Sequence, residues 1–168
     1  MSDDPLGTPW ADGVAIDATF RPRRGRVMAT GMAGAVVVVF VGVAVLIPAP
    51  AAGGSWSVAD RSLLAVLGLA IASLLWRFAS IRAVPGGDGI RVRNLVTTRV
   101  VRWAEIEAVR FPEGDPWVSL DLVDTEILAV MAVQRADGEY GQQEAQRLAT
   151  LVVTRRDGLG SRRGPGEA

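Results

Sequence analysis

The sequence predicts an α+β membrane protein: a two-helix transmembrane hairpin, then a small antiparallel β sandwich or barrel capped by a C-terminal helix. Three observations lead there. Val27 to Ile47 is a run of twenty-one residues without a charge, built around Val36-Val37-Val38-Val39. A second apolar run, Ser62 to Trp76, follows between Arg61 and Arg77. Beyond Ser80 the pattern turns to short alternating segments punctuated by turns, and ends in one amphipathic stretch.

Composition excludes much chemistry. All 18 basic residues are Arg, and Lys, His and Cys are absent. Disulfides, thiolate nucleophiles, Cys/His zinc sites, imidazole acid/base catalysis, a phosphate-loop lysine and Cys-linked lipid anchors are thereby removed. Net charge is zero but unevenly spread: residues 77–110 hold seven Arg against three acids, and 111–153 hold eight acids against two Arg. The local balance is +4 followed by −6.

Residues 1–26 read as a cytoplasmic N-terminal segment. Its first part is polar and mobile, but Val14, Ile16, Ala18 and Phe20 share one parity, which predicts a short strand over Val14–Phe20. The alternative is a tail that dips Phe20 into the membrane interface. Arg21, Arg23, Arg24 and Arg26 then crowd the front of the first span. As a helix, 27–47 is ~31 Å long, matching a ~30 Å hydrocarbon layer, and Pro48 and Pro50 stop it.

The second run has fifteen uncharged residues, ~22 Å as a helix. Flanking Arg side chains can snorkel, and Val58, Ala59, Phe78 and Ala79 extend it, so the span is placed at about 60–78. Trp56 and Trp76 suit the interfaces. A buried core helix is the competing reading at this length. Arg flanks both outer ends while the loop carries only Asp60 and Arg61, so both termini are expected in the cytoplasm of a multi-pass plasma-membrane protein. Gly31 with Ala35 and Gly68 with Ala72 have spacing that permits close helix approach. Ala49-Pro50-Ala51 resembles a signal-peptidase site, but the apolar run is longer than a signal core and a second run follows.

The domain at 79–153 reads as six strands: 81–84, 90–93, 99–102, 108–111, 117–123 and 127–133. Pro85-Gly86-Gly87-Asp88-Gly89 and Pro112-Glu113-Gly114-Asp115-Pro116 are turns, and Trp103-Ala104-Glu105-Ile106 is a tight corner. Ile127–Val133 is apolar on both parities and predicts a well-buried strand. Ala145, Leu148, Ala149 and Val152 recur at helical spacing and mark the closing helix. Residues 154–168, rich in Gly and Arg, read as a disordered tail.

No catalytic constellation is present. Glu105 and Glu107 are two apart and read as solvated. Asp121, Asp124 and Glu126 lack calcium-loop spacing. The Gly86–Gly89 run lacks the strand–loop–helix setting of a phosphate cradle. No cofactor or metal is expected, and the chain reads as a non-enzyme. The functional candidates are Arg82, Arg91, Arg93, Arg99 and Arg102, which follow directly on a helix leaving the bilayer and are placed to meet anionic headgroups. The equal alternative is that they set topology and solubility. Nucleic-acid binding is weaker, since Lys is absent and no aromatics interleave the Arg.

Gly89-Ile90-Arg91-Val92-Arg93-Asn94, Arg102-Trp103-Ala104-Glu105-Ile106, Pro116-Trp117 and the terminal helix resemble a bacterial pleckstrin-homology (PH) family. The chain is most similar to the actinobacterial low-molecular-weight protein antigen 6 type of membrane protein. That resemblance, covering the hairpin and residues 77 to about 153, implies a PH-like sandwich and a non-catalytic binding role, and it transfers no functional residue. Such sandwiches use seven strands, so Val14–Phe20 is the candidate for the seventh. The expected function is a membrane-anchored PH-like module that binds an unknown protein partner or anionic lipid at the cytoplasmic face. The alternatives are a self-associating structural subunit, a homo-oligomer through spans and sheet edges, and a secreted antigen shed after Ala51.

Overall fold

The computed structural model describes residues 15–46 and 57–162, which divide into two units. One is the helical segment 24–80, and the other combines 15–23 with 81–162.

In the helical unit, α1 spans Arg24–Leu46 and α2 spans Val58–Ala79. At 23 and 22 residues, they are about 33–35 Å long, and both are long and apolar enough to cross a membrane. The helix α2 outruns the uncharged run Ser62–Trp76 because its ends are capped. The Ser57 hydroxyl accepts from Asp60 N–H at 3.2 Å, and the Asp60 carboxylate accepts from Ser57 N–H at 2.9 Å, a reciprocal capping box. At the far end, Ser80 N–H donates to Trp76 O at 3.0 Å and its hydroxyl to Arg77 O at 2.7 Å.

A buried core helix does not fit the second run, because Leu63, Leu69 and Trp76 are 71%, 66% and 69% exposed. Where the helices pack, Gly68 lies under Phe40; a Cβ there would come within 2.9 Å of that side chain. Gly31 has no such neighbour within 4 Å, so only one of the two small pairs serves the hairpin. The segment 47–56, with the Ala49–Ala51 site and Trp56, lies outside the described residues.

The second unit is a pair of three-stranded antiparallel sheets. Strands β1 (Arg82–Pro85), β2 (Gly89–Arg93) and β3 (Thr98–Arg102) form one, in that order. Strands β4 (Ile106–Arg110), β5 (Trp117–Leu122) and β6 (Ile127–Gln134) form the other. Thus all six expected strands are present, and the corner between sheets is a 3-10 turn, Trp103–Glu105. A second 3-10 turn, Arg135–Asp137, leads into α3 (Glu139–Arg162).

Alternation sets the core. Ile90 and Val92 of β2, Val101 of β3, and Val118, Leu120 and Leu122 of β5 are buried between the sheets. Trp103 is fully buried, and its indole N–H is shared between Gly86 O and Gly87 O at 3.1 Å each. The glycine cluster therefore holds a tryptophan. Strand β6 is less buried than its apolar sequence predicts: Leu128, Val130, Ala132 and Val133 are inside, while Ile127 is 72% exposed. Helix α3 covers the open side with Ala145, Leu148, Leu151 and Val152. Its first turn rests on the end of β6, where a Cβ on Gly141 would meet Gln134 O at 2.1 Å.

Two expectations need correcting. Residues 15–20 form no strand: Ala18 N–H closes a turn onto Ala15 O at 2.8 Å, and only Phe20 pairs with the sheet, bridging Ala83. Nor does Phe20 dip outward, since it is fully buried in the domain core. Val14 lies outside the described residues. The tail expected from residue 154 begins as helix, because α3 runs on to Arg162. Thr154 donates to Thr150 O at 2.9 Å, and Arg156 Nη1 donates to Glu107 O at 2.9 Å, which ties this extension to β4.

Candidate functional site

The register of the first sheet sorts the five candidate arginines. Arg82 is opposite Arg93, which is opposite Thr98; Val84 is opposite Arg91, which is opposite Val100; Gly89 is opposite Arg102. Side chains alternate along a strand, and Ala83, Ile90, Val92 and Val101 occupy the buried parity. Arg82, Arg91, Arg93 and Arg102 therefore share the outward face with Val84, Thr98 and Val100. Arg91, Arg82 and Arg102 are exposed and Arg93 is half-buried.

Arg99 does not join them. It pairs in register with buried Val92 and so belongs to the other parity, at the sheet margin. Its guanidinium hydrogen-bonds to Glu126 and lies 3.8 Å from Asp124. Glu126, first by hydrogen bond and then by charge, holds Arg99 still further above its ordinary range. This arginine ties β3 to the β5–β6 turn.

Arg82 and Arg93 are like charges directly across two paired strands, an arrangement that is destabilising by itself. Among the described residues, no acid is within ion-pair distance of Arg82, Arg91, Arg93 or Arg102. The nearby acids have local tasks: Asp121 pairs with Arg110, and Glu105, expected as solvated, accepts from Arg102 N–H at 3.0 Å. Among the described residues, no group of three or more His, Cys, Asp or Glu could hold a metal.

Sequence reasoning missed two polar side chains that shape this surface. Asn94, 6% exposed, donates its amide to Ala129 O at 2.7 Å and accepts from Met131 N–H at 3.2 Å, which joins the β2–β3 turn to β6. Arg147, 2% exposed, is saturated. Its Nε and Nη2 donate to Glu144 at 3.1 and 2.6 Å, and its Nη1 to the carbonyls of Ala15, Ile16 and Ala18 at 3.2, 3.1 and 2.9 Å. Arg23 adds a further tie, its N–H donating to Asp137 Oδ2 at 3.0 Å and its guanidinium lying 3.8 Å over Tyr140. The one signal in the sequence was a Glu–Arg pair at i,i+3 set into the apolar stripe of the closing helix.

Comparison with known proteins agrees with this architecture. Residues 79–151 match the family model described as a bacterial PH domain. An uncharacterized protein of Mycobacterium bovis and one of Mycobacterium tuberculosis are each 32% identical over 146 residues, 87% of this chain and 95% of theirs. No solved structure gives a significant match.

Proposed function

Because the chain belongs to the bacterial PH-domain family, we propose that it is a membrane-anchored, non-catalytic binding module that contacts anionic lipid at the cytoplasmic face. PH-type domains are typically non-catalytic. The observation that carries the lipid reading is the Arg82–Arg93 pair, two like charges held in register without a neighbouring acid among the described residues. An anionic headgroup would relieve that repulsion. Each basic residue near such a surface contributes ~1 kcal/mol, and salt screens it.

Chain connectivity supports the same placement. Ser80 caps α2 and Arg82 opens β1. If α2 crosses the bilayer, the two intervening peptide steps keep Arg82 within ~7 Å of the helix end. The arginines before α1 and after α2 favour the cytoplasm for both ends.

The test uses the intact protein in nanodiscs of phosphatidylcholine, or of equal parts phosphatidylcholine and phosphatidylglycerol. A fluorophore on Thr98→Cys, exposed on the outward face opposite Arg93, should be quenched by headgroup quenchers when phosphatidylglycerol is present and released by high salt. Replacing Arg82, Arg91, Arg93 and Arg102 with Gln should abolish that response. Equal quenching in both lipids, or in the variant, would leave these arginines with a topological role only.

A second reading, self-association through the helices, has one observation behind it: Gly31 and Gly34 of α1 have no neighbour within 4 Å of a Cβ position. Blue-native electrophoresis of the intact protein separates the readings, since only a scaffold must be oligomeric.

A further inference from the structure

The turn between β2 and β3 breaks a local rule. Asn94-Leu95-Val96-Thr97 is closed by Asn94 N–H donating to Thr97 O at 2.9 Å. The central positions of such turns favour Gly, Asn, Asp and Ser, yet here they hold Leu95 and Val96. Leu95 packs half-buried against the core, while Val96 is 80% exposed. The turn is also anchored, because the buried Asn94 hydrogen-bonds to Ala129 and Met131 of the opposite sheet. An apolar, β-branched side chain is thus presented to solvent on a fixed support.

Its neighbours are equally particular. Arg93 immediately precedes the turn and Arg82 lies opposite Arg93. On the same outward face, Arg91 is flanked in register by Val84 and by Val100, which is 60% exposed. The row Arg82-Arg93-Thr98 lies between these residues and the turn, so Arg82 and Arg93 are the guanidiniums at the end of the face that Val96 tops. Val84 and Val100 stand at strand positions that favour β-branched residues, whereas Val96, in a turn, gains nothing from facing water. An anionic bilayer has both matching layers, phosphates at the level of the guanidiniums and acyl chains just beneath.

We propose that Val96 is a hydrophobic wedge that enters the acyl boundary of an anionic bilayer, with Arg82 and Arg93 beside it, and Arg91 farther along the face, on the surrounding phosphates. This rests on the lipid-contact reading above and adds depth to it. Charge alone holds the face at the headgroups and yields to salt, whereas an inserted valine resists salt because apolar burial is not screened. The chemistry of the ligand is therefore that of a glycerophospholipid layer, not of a free phosphate.

The chain has no Cys, so a single nitroxide can be placed at Val96→Cys in the intact protein. Glu113→Cys, exposed in the β4–β5 turn, is the solvent reference. In nanodiscs containing phosphatidylglycerol, the label at 96 should collide severalfold less with a water-soluble nickel chelate and more with oxygen than the label at 113. Val96→Asp should weaken the phosphatidylglycerol-dependent quenching at Thr98→Cys severalfold, and Val96→Leu should retain it. If 96 is as open to nickel as 113 while quenching at 98 still depends on phosphatidylglycerol, the wedge is overturned and the lipid contact stands. If quenching at 98 ignores lipid charge, both fall. A label at 96 shielded from oxygen and nickel alike would mean a protein partner covers the turn, and would also overturn the wedge.

Discussion

The guanidinium of Arg147 lies 3.8 Å over the ring of Phe20, and both side chains are almost completely buried. Around it, Glu144 and three backbone carbonyls take up the remaining donors. A charge removed from water is tolerated only when paired and hydrogen-bonded in this way. The segment 15–20 is thus held to α3 through one arginine, and the cation over the ring adds up to ~2 kcal/mol when desolvated.

Removing that arginine alone should be costly. Arg147→Met leaves the Glu144 carboxylate buried without its partner and strips three carbonyls, a loss of about 3–5 kcal/mol. The double variant Arg147→Met, Glu144→Leu removes the orphaned charge and should recover a large part of that loss. Denaturant unfolding of the intact protein in detergent, followed by tryptophan fluorescence, measures both. A double variant no more stable than the single would contradict the pairing.

Thr125 in the β5–β6 turn has φ of 67°, where a β-branched side chain is strained. Its N–H donates to Leu122 O at 2.9 Å and holds the turn in that shape. Thr125→Gly should therefore stabilise the protein by about 1 kcal/mol, visible as a higher melting temperature. Destabilisation would mean that the Thr125 hydroxyl, which donates to Asp124 O at 2.6 Å, outweighs the strain.

Tyr140 is the one tyrosine of the chain. Burial first, and the nearby Glu144 charge second, push its phenol above the ordinary tyrosine value, against a smaller pull from Arg23 and Arg147. The folded state then holds the phenolic proton more tightly than the unfolded chain does. Its contribution to stability is full below the unfolded value and is lost as pH rises through the folded one. An alkaline absorbance titration should give a midpoint above that of the same chain in denaturant; equal midpoints would count against this account.

Arg99 should behave differently from the outward-facing arginines. Its partners Glu126 and Asp124 are surface acids, so Arg99→Gln should leave the melting temperature almost unchanged. It should also leave phosphatidylglycerol-dependent quenching at Thr98→Cys unchanged. A loss of quenching equal to that of Arg93→Gln would place Arg99 on the lipid face after all.

The orientation is open to a direct measurement. A cysteine at Ser55 should react with an impermeant maleimide in intact cells, and one at Ser161 only after permeabilisation. The opposite pattern would invert the topology argued from arginine placement.

The strands are legible because Ile90 and Val92 of β2 and Val118, Leu120 and Leu122 of β5 alternate, and the β1–β2, β4–β5 and β5–β6 turns carry Pro, Gly or Asp. The seventh strand was misread for a physical reason: Ile16 and Phe20 both face the core, and a turn followed by one bridge leaves the same period-two trace as a strand. The helical continuation past 154 was hidden by Gly158, Gly160 and the arginines, since its tie from Arg156 to Glu107 reaches across to β4. The partners of Asn94 and the carbonyls that Arg147 binds are hidden for the same cause, because they lie far away along the chain; only Glu144 is local to Arg147. Within the candidate surface, sequence reasoning grouped five arginines by proximity, whereas strand parity separates Arg99 from the other four.

Phe20 and Ala83 exchange two backbone hydrogen bonds, of 2.9 and 3.0 Å, and this has a topological consequence. Two residues bonded to each other lie on the same side of any membrane. The chain between them must therefore cross an even number of times, so α1 and α2 both span or neither does. A chain that left α1 as a lone anchor would strand Phe20 opposite its own domain, with its pocket empty and Arg147 without the three carbonyls. Cutting after Ala51 would likewise turn an internal staple into a separate peptide held only by these contacts. The Phe20–Ala83 contact forms only when the number of crossings between the two residues is even, so completion of the domain core is tied to the parity of insertion.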